Sequence, residues 1–275
     1  MPPFILISPA TRGLSLAFVR HFLRTTTLPV FGTYRPSPPG SREQRTRTSI
    51  HQDILRSFAE EDITVDPERL HVLPLDLLSE DSIASAADAL ARTLRSLDPA
   101  APSHLRLACF AGGVLHPERQ PADLDLAHIE ETFRTNVVAH LLLVKHFARF
   151  LQPPPGPAAP EPALARWVHV SARVGSVSDN RLGGWYSYRA SKAALNQVVR
   201  TFDLHLQAKR IPAICVGVHP GTVRTDLSKA FWNSVPPEQL FEPEDAAAKL
   251  ADVIDKLGQA QRGRIWDWKG EEVLP

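Results

Sequence analysis

Phe4-Ile5-Leu6-Ile7-Ser8-Pro9-Ala10-Thr11-Arg12-Gly13-Leu14-Ser15 joins a short apolar run to a turn and then to a helical pattern. The apolar run Phe4 to Ile7 predicts a buried strand, and residues 12–23 predict a helix. The same alternation continues along the chain. Strand signals fall at 29–34, 70–75, 105–110, 166–171, 213–219 and 264–268, and helical patterns at 41–60, 79–97, 125–151, 186–209 and 243–257. Ser79 is placed to cap one helix. Pro243-Glu244-Asp245 suits the first turn of another. Strands alternating with helices predict an α/β fold: a doubly wound, seven-stranded parallel sheet with helices on both faces, joined by right-handed crossovers.

With 275 residues and 43% hydrophobic content, the chain suits one large domain with a full core. No internal repeat or domain boundary is evident. The proline-rich stretch 152–162 reads as a surface loop rather than a partner-binding polyproline segment. A net charge of +1 gives no electrostatic case for nucleic acid or an acidic membrane, and Arg42, Arg45 and Arg47 read as a solvated helix end. Cys109 and Cys215 fall in apolar strand runs and read as reduced core residues. Phe4 to Ile7 is too short for a signal peptide or a span. The expectation is a soluble, cytoplasmic protein with no metal site.

Tyr186-Ser187-Tyr188-Arg189-Ala190-Ser191-Lys192-Ala193-Ala194-Leu195 sets a tyrosine four residues before a lysine in an amphipathic helix. Residues at that spacing share a helix face. A phenol ordinarily ionises near ~10, and a neighbouring cation lowers that value. A tyrosine tuned in this way passes a proton to or from an alcohol oxygen. The same spacing also fits a surface lysine beside a core tyrosine, so the rest of the chain decides.

Ligands of doubly wound sheets bind at the carboxyl ends of the strands, where strand order reverses. The first strand-to-helix turn, residues 7–15, also offers a helix N-terminus to a phosphate. This turn resembles the Thr-Gly-x-x-x-Gly-x-Gly of the short-chain dehydrogenase/reductase family, with Ser8 for the threonine, Pro9 for the first glycine, Ser15 for the last, and Gly13 kept. Pro9 has a fixed φ and no N–H, so an altered cofactor affinity is expected. The resemblance implies a Rossmann fold over residues 1–275, with Ser8, Ala10, Thr11, Arg12, Gly13 and Leu14 at the cofactor. At the end of the second strand stands Thr33-Tyr34-Arg35 rather than an acidic residue. Arg12 and Arg35 together suit a 2′-phosphate, so NADP(H) is favoured over NAD(H). Asp76, in Leu75-Asp76-Leu77, matches the family aspartate at the adenine amino group, with Leu77 beside it.

The likeness continues through the second half. Ser171-Ala172-Arg173-Val174-Gly175-Ser176, then Asp179-Asn180-Arg181-Leu182-Gly183-Gly184-Trp185 and Tyr188-Arg189-Ala190-Ser191-Lys192, are similar to the subgroup holding the C-factor and sniffer-type carbonyl reductases. The resemblance implies Tyr188 as the proton donor, Lys192 as the group that binds the nicotinamide ribose and lowers the tyrosine pKa, and Asn136 as the holder of a relay water. The serine that bonds the substrate carbonyl is open: Ala172 fills its usual slot, leaving Ser171, Ser176 or no serine. Cys109-Phe110-Ala111-Gly112 stands for Asn-Asn-Ala-Gly, with Ala111 and Gly112 at the cofactor. Loss of the first amide at Cys109 implies a slightly looser central sheet. His219-Pro220-Gly221-Thr222-Val223-Arg224-Thr225 implies cofactor contacts from Pro220, Gly221, Val223 and Thr225, and residues 227–241 imply a cover over an apolar or bulky substrate. A plain loop packed on its own aromatics is the other reading of that cover.

The expected activity is hydride transfer between NADP(H) and a small-molecule carbonyl/alcohol pair, in a homodimer or homotetramer. Two rivals stay open: a non-catalytic nucleotide-sensing or interaction protein, and a non-redox dehydratase or cyclase on the same fold.

Overall fold

The computed structural model describes residues 3–38, 40–41, 44–100, 103–156 and 162–275. Its strands are β1 (Pro3–Ser8), β2 (Val30–Tyr34), β3 (Leu70–Pro74), β4 (His104–Phe110), β5 (Ala165–Val170), β6 (Ala213–His219), β7 (Thr222–Val223), β8 (Leu240–Phe241), β9 (Ile265–Asp267) and β10 (Glu272–Val273). Eight of them form one sheet in the order β10-β9-β6-β5-β4-β1-β2-β3, and β7 pairs with β8 apart from it. The seven expected strands are parallel, and β10 adds an antiparallel edge too short to stand out in the sequence.

Side chains alternate between the two faces of a strand, and both faces here are buried. Ile5 and Ile7 of β1 join one core layer, while Phe4 and Leu6 join the other. Helices α1 (Gly13–Thr25), α2 (Arg47–Glu60) and α7 (Pro243–Lys256) cover the first face with Phe18, Phe22, Ile50, Ile54, Leu250 and Ile254. Helices α3 (Glu80–Leu97), α5 (Ala139–Phe147) and α6 (Tyr186–Ala208) cover the second with Ile83, Leu90, Leu143, Phe147, Val199 and Phe202. Cys109 and Cys215 point into opposite layers as free thiols, so no disulfide joins them. Burial pushes the Cys109 thiol up to about 12.

Helix boundaries follow their caps. Ser79 accepts from Ser82 N at the start of α3, as expected. The helix expected from residue 41 begins at Arg47 instead, because Thr46 and Ser49 cap each other reciprocally. The long helix expected over 125–151 is α4 (Leu126–Phe133), a π-helical turn (Arg134–Val138), α5 and a final 3-10 turn. Arg45 and Arg47 are exposed, whereas Arg42, Pro157 and Pro160 lie outside the described residues. No helix among the described residues is long and apolar enough to cross a membrane. Strand order reverses between β1 and β4, whose last residues, Ser8 and Phe110, lie side by side.

Candidate active site

The turn after β1 is held from both neighbouring strands. Ala10 N donates to Thr33 O (2.8 Å), the Ser8 and Thr33 hydroxyls share a hydrogen bond (2.7 Å), and Ala111 N donates to Ser8 O (2.9 Å). The Ser8–Pro9 peptide is cis. Gly13 opens α1 with φ +53°, and a Cβ there would come within 2.8 Å of Thr225 Cγ2. The turn therefore touches the segment that follows β6, although more than 200 residues separate them. A Cβ on Gly112 would lie 2.5 Å from Leu77 Cδ1 and 3.7 Å from Pro9 Cδ. Pro9, Leu77 and Gly112 thus converge at the reversal point. No acidic residue occupies the first turn of α1, and no side chain caps it. Arg12 is exposed, and Arg35 Nε lies 3.4 Å from Asp76 Oδ2 at the adjacent ends of β2 and β3.

Tyr188 and Lys192 lie one turn apart on α6, 7% and 3% exposed. The Lys192 ammonium donates to Val170 O at the end of β5 (2.9 Å) and sits 5.7 Å from the Tyr188 ring centroid. Burial pulls Lys192 down to about 8. Burial also pushes the Tyr188 phenol up, well above its ordinary value. The expected lowering by the lysine is therefore outweighed here: the ammonium is aimed at a carbonyl, and desolvation of the phenolate dominates.

Asn136 stands in the middle of the π-helical turn and is fully buried. Its Oδ1 accepts from Val114 N (2.9 Å), and its Nδ2 donates to Val114 O and to Ser191 Oγ (both 3.0 Å). Ser191 Oγ in turn donates to Tyr188 O (2.8 Å). The side-chain amide thus ties the segment after β4 to the turn of α6 that carries Tyr188. A buried amide without partners would be costly, and both N–H groups of Asn136 are used.

Both serine hydroxyls are already hydrogen-bonded within the protein. Ser171 Oγ donates its one proton to Asn196 Oδ1 (2.6 Å), on the α6 face that also bears Lys192. Ser176 Oγ bonds the Ser178 hydroxyl and accepts from Asp179 N. After β6, Gly221 turns at φ +73° with Phe241 and Trp268 packed against it, and the neighbouring Val223 enters β7. Thr225 Oγ1 and Ser228 Oγ both donate to Val223 O. Residues 229–234 and 237–239 form 3-10 turns, with Trp232 Nε1 donating to Ser228 Oγ (2.9 Å).

A model of the short chain dehydrogenase family matches residues 50–235. The chain belongs to that family. It is 33% identical to the C-signal of Myxococcus xanthus over 151 residues, which are 55% of this chain and 81% of the relative. Its fold superposes on the carbonyl reductase Sniffer of D. melanogaster with a TM-score of 0.76 at 23% identity, covering all of both chains. An NADPH-bound carbonyl reductase from chicken fatty liver gives a TM-score of 0.78 at 25% identity, over 100% of this chain and 96% of that one. By family, this short-chain dehydrogenase is an oxidoreductase.

Three features of this family member were not legible in its sequence. Glu118, 2% exposed, accepts through its carboxylate from Ser187 N (2.7 Å) and Ser187 Oγ (2.6 Å), capping α6 from a distant loop. His140 and His169, both buried, link Trp167 to Gly112 O, so the end of β4 is tied down despite Cys109. Trp185 adopts a left-handed backbone just before Tyr188. Each depends on partners 2 to 69 positions away, which no local pattern announces.

Proposed function

We propose that this protein is an NADP(H)-dependent oxidoreductase that interconverts a carbonyl and an alcohol, built as one dinucleotide-binding domain over residues 1–275. The observation that carries this reading is the burial of Tyr188 and Lys192 on one face of α6, with Asn136 tied to the same turn. The cofactor cradle fits as well. Gly13 and Gly112 let the turn after β1 pack directly on Thr225 and the end of β4 pack directly on Leu77, which draws the strand-end segments together at the reversal point. Ser8, Ala10, Thr11, Leu14, Ala111, Pro220, Gly221 and Val223 border the same strand ends, and Arg12 and Arg35 offer guanidinium groups to a 2′-phosphate.

A bound nicotinamide supplies or accepts the hydride. Tyr188 gives its hydroxyl proton to the carbonyl oxygen as negative charge develops there. Burial keeps Tyr188 protonated at neutral pH, the state that carbonyl reduction needs. Lys192 stabilises the phenolate left behind; Val170 O takes one of its three donors, and the remaining two would be available to a bound nicotinamide ribose. Asn136 holds the relay water through its backbone carbonyl, because its side-chain amide is already bonded. Ser171 polarises the carbonyl only by releasing Asn196. Residues 227–241 cover the substrate. Val138, Leu141 and Leu204, exposed on the helical elements that carry Asn136 and Tyr188, form the contact of a homodimer or homotetramer.

A second reading, an interaction protein on this fold, is favoured by Ala172 in the serine slot, Pro9 in the phosphate turn and Phe110 at the end of β4. Titration with NADPH followed by a carbonyl screen separates the two. Binding with turnover supports the reductase, and absence of both supports the interaction protein.

A further inference from the structure

Trp185 has φ 50° and ψ 48°. Large aromatic side chains rarely adopt this left-handed conformation, which glycine adopts freely. It follows Gly183 and Gly184, at φ +64° and +66°, where the chain already turns left-handed. A third glycine would satisfy the backbone better, so the indole itself requires an explanation.

The strained residue is clamped from two sides. Trp185 N donates to Glu118 O (2.6 Å), while the Glu118 carboxylate caps Ser187 two positions on. Arg189 Nε donates to the carbonyls of Gly183 (3.1 Å) and Gly184 (3.0 Å), and Arg189 N donates to Trp185 O (2.8 Å). Strain of this kind persists where the surroundings over-determine it, and it gathers at functional sites.

The clamp sets the indole edge-on to the Tyr188 ring, with centroids 6.2 Å apart and planes at 83°. The indole also meets Phe231, with centroids 4.7 Å apart and planes at 59°. Trp185 and Phe231 are both only partly buried. Three rings therefore run in contact from the proton donor to residues 229–234, and the backbone of the middle one is held by the hydrogen bonds above.

We propose that Trp185, backed by Phe231, is a specificity-determining residue that selects carbonyl compounds conjugated to an aromatic ring. Such a substrate lays its ring against the indole while its carbonyl oxygen meets the Tyr188 hydroxyl. Offset-stacked or edge-to-face ring pairs stabilise beyond the area they bury, and an aliphatic chain lacks that contribution. This proposal rests on the reductase reading above.

The test compares kcat/KM for 4-nitrobenzaldehyde and butanal at saturating NADPH, in the wild-type protein and in Trp185→Gly and Trp185→Phe, with thermal melts of all three. The wild type is expected to favour the aryl aldehyde. Trp185→Gly is expected to lower the aryl/alkyl ratio at least tenfold, mainly through the aryl KM, and to melt no lower than wild type because its backbone is relieved. Trp185→Phe is expected to keep most of the ratio. A wild type that prefers butanal, or a ratio that Trp185→Gly leaves unchanged, overturns the proposal and leaves the reductase reading intact. Turnover of neither aldehyde, despite bound NADPH, overturns both.

Discussion

His140 Nδ1 lies 2.7 Å from His169 Nδ1 inside the core, and the direction of every hydrogen bond through this pair is fixed. The indole Nε1–H of Trp167 can only donate, so His169 Nε2 accepts it (2.9 Å). The proton of His169 is then on Nδ1 and is donated to His140 Nδ1. His140 therefore carries its proton on Nε2, which donates to Gly112 O (3.0 Å). Both imidazoles are neutral and leave no ring nitrogen unpaired. Burial pulls His140 down to about 4 and His169 well below its ordinary value, with the Lys192 charge adding to both. The chain ends beside Gly113, where a Cβ would be 3.5 Å from Asn136 Oδ1 and 3.6 Å from Lys192 Nζ.

This pair, together with His219, which burial likewise pulls down to about 4, should make the protein acid-sensitive. The unfolded histidine protonates near 6.5 and the folded His140 near about 4, so between these values the unfolded state binds more protons. Stability then rises with pH across that window and is lost as pH falls through it, by about 3 kcal/mol for His140 alone. Urea midpoints measured on either side of the window should drop on the acid side. His140→Leu should flatten this drop, while lowering stability at neutral pH by about 1–3 kcal/mol through the unpaired Gly112 carbonyl. A variant as acid-sensitive as wild type would show that the pair is not the cause.

Catalysis should report Lys192 separately. Its ammonium is charged below about pH 8 and neutral above. Tyr188 stays protonated through the whole neutral range. Carbonyl reduction should therefore be level at neutral pH and decline above about pH 8, whereas alcohol oxidation, which needs the phenolate, should climb with pH. Reduction that rises through pH 8 would contradict this assignment.

Much of the fold was readable because both faces of the sheet are covered. Ile5 and Ile7 had to be apolar for one layer, and Phe4 and Leu6 for the other. Tyr188 and Lys192 were readable because helical spacing alone places them together. The direction of the Tyr188 shift was not, since the sequence places a cation near it but not the depth of its burial. The aim of Ser171 depended on how β5 ends against α6, and Asn196 offered no signal of its own. His140 and His169 lie 29 positions apart, Glu118 and Ser187 69 apart. Such pairs become visible only once the sheet is assembled.

The proposed preference for NADP(H) can be tested at Arg35. Arg35→Ala should weaken NADPH binding about tenfold or more, the worth of one charged hydrogen bond of ~1.5 kcal/mol. It also leaves the Asp76 carboxylate without its ion-pair partner near the incoming phosphate. NADH affinity should change little. Isothermal titration with both nucleotides measures this, and equal losses for the two would refute a 2′-phosphate contact.

Glu118 should matter to the start of α6. Glu118→Gln presents an amide N–H toward groups that already donate, Ser187 N and Ser187 Oγ. Chemical denaturation should show a loss of about 1–3 kcal/mol. An unchanged midpoint would mean that the cap contributes nothing.

The most direct test of the central claim is NADPH oxidation by the wild type and by Tyr188→Phe against the same aldehyde, with NADPH affinity measured for both. The account predicts turnover by the wild type, a fall in kcat of about 100-fold or more in Tyr188→Phe, and similar NADPH affinity in the two proteins. Full activity in Tyr188→Phe would contradict it.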